Sequence, residues 1–254
     1  MARIPVALQM YTVRDDQARD FAGTFEKVAA IGYEGAELAG TGGLTATELR
    51  NLLDGLGLRI AGGHVGLPQL ETELNQALDY YSELGSDYIT CPWLPEERRK
   101  SAEDYRRLAA TLTEVGAKTK ERGIQLCYHN HAFEFTKFDG ENALDILFSA
   151  SDPNLVKSEL DTYWVEYGGE SAVAYLTKYA GRVPLVHLKD MTPGENRTFA
   201  ELGEGTIDWD AVLSACESAS AQTAWYIVEQ DTCQRPPLES ARISFDYLRA
   251  KGRV

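Results

Sequence analysis

One unit repeats along this chain from end to end: a short continuous apolar run, a segment of helical period, then a glycine. Apolar runs fall at 4–10, 33–38, 58–62, 88–91, 124–128, 156–160, 184–188 and 225–228. Their hydrophobicity is continuous rather than alternating, as in strands covered on both faces, which calls for a parallel sheet sheathed in helices. Helical stripes lie between them, such as Phe25, Val28, Ala29 and Gly32, or Leu74, Ala77, Leu78 and Tyr81. Thr45 has Glu48 three residues on, and Ser101 has Asp104, so both mark helix starts. Gly32, Gly57, Gly85 and Gly123 each stand where a helix ends and the next strand begins.

Eight strands, each followed by a helix, predict a single-domain α/β chain, a (β/α)8 TIM barrel over residues 1–254. Such a barrel takes about 250 residues. The competitor is an open doubly wound sheet, which would carry a phosphate-binding glycine loop near its first strand. Gly40-Thr41-Gly42-Gly43 follows the second strand and lacks the third spaced glycine, so it reads as a loop.

A net charge of −14 argues against nucleic acid as a partner, because phosphate binding needs concentrated Lys and Arg. The basic cluster Arg98-Arg99-Lys100 lies among Glu96, Glu97, Glu103 and Asp104 and reads as solvated. The start, Met1-Ala2-Arg3-Ile4-Pro5, leads into a short apolar run broken by Gln9, neither a secretory signal nor a membrane span. Cys91, Cys127, Cys216 and Cys233 show no CxxC spacing; reduced thiols in a cytoplasmic protein are expected.

Chemistry concentrates at the strand ends. The four histidines, His64, His129, His131 and His187, each follow or close an apolar run, and two further runs lead into Asp161 and Glu229. In a parallel barrel these ends converge at one mouth, although the residues are distant in sequence. A mixed imidazole and carboxylate set suits Mn²⁺, Co²⁺, Zn²⁺ or Fe²⁺, whereas Ca²⁺ cages use oxygen alone. Blander roles compete: Asp161, before Thr162-Tyr163-Trp164, could cap a helix, and Glu229 could pair with Lys189.

Several phrases in order carry a resemblance over almost the whole chain. They are Leu8-Gln9-Met10-Tyr11-Thr12-Val13-Arg14, Gly63-His64-Val65-Gly66, Tyr128-His129-Asn130-His131-Ala132-Phe133-Glu134-Phe135, Glu159-Leu160-Asp161-Thr162-Tyr163-Trp164, His187-Leu188-Lys189-Asp190, Glu201-Leu202-Gly203-Glu204-Gly205 and Val228-Glu229-Gln230. The chain resembles the xylose isomerase-like TIM-barrel sugar isomerases and epimerases. That resemblance implies one divalent metal, manganese first with Co, Zn or Fe behind it, held by Glu, Asp, His and Glu. Asp161, His187 and Glu229 match three positions; the remaining one falls to Glu134, with His129 as the alternative.

The implied chemistry is isomerisation or epimerisation of a sugar or keto-sugar through a metal-stabilised enediolate. Glu229 is a candidate base as well as a ligand, with Glu134, His131 or His129 serving from the other side; His64 and Lys189 would hydrogen-bond hydroxyls or the developing oxyanion. Expulsion of a β-oxygen from the same intermediate makes a lyase acting on a 3-keto-glycoside or keto-inositol the alternative. Gln9, Tyr11, Arg14 and Glu37 are placed to reach substrate, with Arg14 a weak candidate for a phosphate. Tyr163, Trp164 and Tyr167 could stack on a sugar, whereas Trp93 beside Pro92 is expected to pack under the loops. The superfamily's DNA-repair nucleases resemble a multi-metal design with more histidines and a basic face, from which this chain departs. No membrane partner is expected, and a homo-oligomer is compatible with the resemblance.

Overall fold

The computed structural model describes residues 3–218 and 220–254. Met1 and Ala2, which begin the N-terminal stretch discussed above, and Ala219 lie outside them. All eight expected strands form: β1 Val6–Gln9, β2 Gly35–Leu38, β3 Arg59–Gly63, β4 Tyr88–Cys91, β5 Gln125–His129, β6 Val156–Asp161, β7 Leu185–Leu188 and β8 Trp225–Val228. They pair in parallel in the order β3-β2-β1-β8-β7-β6-β5-β4. A parallel bridge between His64 and Thr90, just beyond β3, joins the two outermost strands and closes the barrel. Val65 N–H donates to Thr90 O at 2.8 Å across this seam.

Helices wrap the outside, and their ends follow local chemistry. Thr45 and Glu48 make a reciprocal capping box at the start of Ala46–Leu56, and Ser101 accepts from Asp104 N at the start of Ala102–Glu121. Gly57 and Gly85 end their helices in the left-handed region (φ 69° and 82°), where a side chain would be strained.

The apolar interior divides in two. The larger cluster fills the space between strands and helices, with Leu8, Leu38, Leu126, Val186 and Val228 pointing outward from the barrel. A smaller one, Ala7, Ala61, Cys127, Leu185, Trp225 and Ile227, plugs the inside. Side chains alternate along each strand, so the next inward position toward the strand's C-terminus lies two residues on. These positions are polar: Gln9 above Ala7, His129 above Cys127, His187 above Leu185 and Glu229 above Ile227. All four are 4% exposed or less.

The register between β2 and β3 shifts after Ala36, so that Glu37 faces Gly62 rather than Ala61. A Cβ on Gly62 would lie 3.1 Å from Glu37 Oε1, so glycine leaves that carboxylate its space. Beyond β7, Asp190 staples the following loop: its carboxylate accepts from the backbone N–H of Met191, Gly203, Gly205 and Ile207 and from Trp209 Nε1 at 2.7 to 3.1 Å.

Candidate active site

Two overlapping sets of side chains converge at the C-terminal mouth. His64, His129, Glu159 and His187 form one; His129, Asp161, His187 and Glu229 form the other. In each, one nitrogen or oxygen per residue lies within 4.8 Å of the rest. Asp161, His187 and Glu229 are thus brought together as the strand ends implied, and His129 completes their group.

Glu134, expected above as a ligand, stands apart from both groups. It sits in the 3-10 turn Ala132–Phe135 and its carboxylate folds back on its own loop. Oε1 accepts from Tyr128 Oη at 2.5 Å and Oε2 from His131 N at 2.7 Å. Both oxygens are committed, and Glu134 belongs to neither converging set. Burial pushes its pKa up to about 8, against the two hydrogen bonds it accepts. His131 lines the mouth outside both sets, and burial drives its pKa well below the ordinary range.

The donor set fits a divalent metal by the direction its atoms face. His129 Nδ1 is 2.9 Å from Glu159 Oε1, which leaves Nε2 turned to Asp161 Oδ2 at 3.5 Å. His187 Nε2 is 2.7 Å from Glu37 Oε2, which leaves Nδ1 2.7 Å from Glu229 Oε2. Each imidazole has carboxylate behind it, Glu159 for His129 and Glu37 with Glu159 for His187, and is aimed by its other nitrogen at the group, the arrangement that fixes metal-binding histidines. Two carboxylates and two imidazoles offset a dication's charge without a third acid. Asp161 does cap its helix, accepting from Trp164 N through Oδ1 at 3.0 Å, and its second oxygen stays within the site. Glu229 does pair with Lys189, at 2.8 Å. The bland roles and the site roles coexist in these side chains.

Glu159, which the sequence offers only as part of a motif, and Thr90 also belong to the site. Glu159 is wholly buried and meets His64 at 2.8 Å, His129 at 2.9 Å and His187 at 3.2 Å, while Thr90 Oγ1 donates to its other oxygen at 2.8 Å. The signal was its spacing, two residues before Asp161 and so on the same strand face. Glu37 lies across from it, receiving Gln9 Nε2 at 2.7 Å on Oε2 while Oε1 has no hydrogen-bond partner.

These acids divide electrostatically. Burial opposes charge on Glu159, but His187 and His64 outweigh it and hold the carboxyl well below its usual range. Burial and then the Glu159 charge push Glu37 up to about 7. Burial also lifts Asp161 to about 6, against the pull of Lys189 and His187. Glu229 is held well below normal, the burial penalty being overcome by Lys189 and His187. Burial would discharge His187, yet Glu159 and Glu37 keep it well above the ordinary value; for His129 burial wins and lowers it to about 3. Lys189, 1% exposed, meets Asp161, Glu229 and Asp231 at 2.7 to 2.8 Å.

A cavity of ≈ 650 Å³ opens over this floor, with Tyr11, Trp93, Phe133 and Trp164 in its walls and His64, His129, Lys189 and Glu229 at its base. Trp93 is 47% exposed, so it stands in the mouth rather than beneath the loops as expected. Arg14 donates to Tyr11 O at 2.9 Å and stacks over the Tyr11 ring; it does not line the cavity.

A family model described as the xylose isomerase-like TIM barrel matches residues 25–251. Among its relatives is an inosose dehydratase of Clostridium beijerinckii, 25% identical over 270 aligned positions that cover 90% of each chain. Among solved structures, a sugar phosphate isomerase/epimerase from Parabacteroides distasonis superposes with a TM-score of 0.85 at 23% identity, over 100% of this chain and 96% of that one. The IOLI protein with a binding zinc atom gives 0.78 at 16% identity over 97% of each chain. By the extent of the family match, this chain belongs to the xylose isomerase-like TIM-barrel family.

Proposed function

We propose that this protein is a divalent-metal-dependent enzyme that removes a proton beside the carbonyl of a keto-sugar or related polyhydroxylated ketone, as sugar isomerases and epimerases do. One observation carries the reading: His129, Asp161, His187 and Glu229 converge at the barrel mouth, with Glu159 and Glu37 behind the two imidazoles. Their mixed nitrogen and oxygen donors suit Mn²⁺, Co²⁺, Zn²⁺ or Fe²⁺. When bound, such an ion supplies Lewis-acid polarisation of the substrate carbonyl.

The chain's own residues handle the proton. Glu229 keeps its charge and lines the cavity, so it is placed to accept a C–H proton from substrate. Lys189 pairs with the Asp161, Glu229 and Asp231 carboxylates and holds them in place around the site. His64 lies beyond β3, three strands from β8 in the sheet order, and its ring stacks on that of His187 at 5.9 Å. Burial opposes its charge, but Glu37 and Glu159 prevail and raise its pKa, which makes it a candidate proton donor. Four free cysteines, three of them buried, suit a reducing, cytoplasmic setting. Among the described residues, no helix is long and apolar enough to cross a membrane.

A second reading, elimination of water from a keto-inositol or of the glycosidic group from a 3-keto-glycoside, is favoured by the name of the C. beijerinckii relative. It would use His64 as the acid for the departing oxygen. Incubation of metal-supplemented protein with ketoses and an inosose in D₂O tests both. The expected result is metal-dependent deuterium entry at one carbon, abolished in Glu229→Gln; absorbance from an enone would select elimination. No exchange with any of these compounds would contradict the proposal.

A further inference from the structure

The floor of the cavity accounts for a carbonyl and its neighbouring hydroxyls, but the walls above it are of another character. A volume of ≈ 650 Å³ falls within the span of about 300–1,000 Å³ that encloses a drug-sized ligand. Trp93 and Tyr11, 47% and 43% exposed, face this space. Large aromatic surface left open at one mouth marks a contact surface.

The wall is also built to keep its shape. Trp93 meets the His131 and Phe133 rings edge-on at 4.8 and 5.1 Å, and His131 and Phe133 stack at 5.4 Å. The Arg99 guanidinium lies 3.5 Å from the Phe133 ring centre and 5.0 Å from that of Trp93. It is absent from the cavity lining, so it braces the wall rather than facing a ligand.

Charge is distributed just as unevenly. Among the described lining residues Lys189 is the one Lys or Arg, and three carboxylates already surround it. A phosphate at the mouth would meet no free cation there and would lie over the Glu229 and Asp231 carboxyl groups that line the base.

We propose that the mouth holds the second ring of an uncharged glycoside against Trp93 and Phe133, so that the substrate is a neutral two-ring compound rather than a phosphorylated monosaccharide. This rests on the reading of the floor as a carbohydrate site and narrows its substrate class.

Calorimetric titration of Mn²⁺-supplemented protein with 4-nitrophenyl β-D-glucoside, glucose and glucose 6-phosphate tests it, in wild type, Trp93→Ala and Phe133→Ala. The aryl glucoside should bind about tenfold more tightly than glucose, the size expected for one well-stacked ring. Glucose 6-phosphate should bind no better than glucose, and both substitutions should erase the ring preference. Equal affinity for all three probes, tightest binding of the phosphate, or a ring preference that survives both substitutions would overturn it. Deuterium exchange into a ketose, run on the same samples, separates the two claims. Exchange without a ring preference removes this inference and keeps the proposed function. A Trp93-dependent preference without exchange does the reverse.

Discussion

Two halves of the barrel interior sit two residues apart on the same strands and are equally dry. Below are Ala7, Cys127, Leu185 and Ile227; above are Gln9, His129, His187 and Glu229. Burial therefore does not distinguish them, and chemistry does. The lower half excludes water at a gain proportional to its apolar area. The upper half packs Glu37, Glu159, Asp161 and Glu229 around three histidines and a lysine, groups that lose solvation and recover it only through one another. Stability rises from the base and from the outer shell of helices, and the mouth is the part free to be costly. Perturbed acids gathered in a cleft are the mark of a functional site.

The largest effect should come from the upper half. Glu229→Gln is expected to slow proton exchange by about 10²–10⁴-fold, while the thermal midpoint of the metal-free protein stays level or rises. A midpoint that falls as far as in a plug mutant would erase the contrast. Leu185→Ala, two residues below His187, should cost about 2–5 kcal/mol in denaturant unfolding and leave metal content per folded chain unchanged. If metal content drops with it, the halves are one cooperative unit.

A smaller effect sharpens the comparison within the polar layer. Glu159→Gln keeps the donor set but weakens the backing of the imidazoles, and metal affinity by titration should fall about 10–100-fold. An unchanged affinity would place Glu159 outside the support of that site.

The smallest effect concerns Glu134, buried and polar yet outside the convergence. Its ordinary pKa of 4.5 is raised to about 8 in the fold. Between those values the unfolded chain has released the proton that the folded chain still holds, so this group lowers stability as pH rises through that window, by up to about 1.4 kcal/mol per pH unit. Glu134→Gln should flatten the fall of the thermal midpoint over that range. A slope unchanged from wild type would mean that the acid is not held neutral.

The strands were legible because a strand covered on both faces shows as an unbroken apolar run, and all eight formed where such runs stand. Strand ends then located Asp161, His187, Glu229 and His129. What was hidden depends on facing and loop geometry. Glu159 lies inside its strand, and its direction follows from the alternation that brings Asp161 inward. Glu37 owes its place opposite Gly62 to a register shift, which apolar runs do not announce. The facing of Glu134 is hidden because nothing in Ala132-Phe133-Glu134-Phe135 declares a 3-10 turn that folds the carboxylate onto Tyr128 and His131 N. The place of Trp93 beside Pro92 suggests packing, but its exposure depends on where the His131 and Phe133 rings stand.

The most direct test is metal content of protein purified without added metal, for wild type, His129→Ala and Glu134→Gln side by side. The account predicts about one divalent ion per chain in wild type and in Glu134→Gln, and its loss in His129→Ala. Retention in His129→Ala with loss in Glu134→Gln would contradict the donor set drawn here and return the fourth position to the loop.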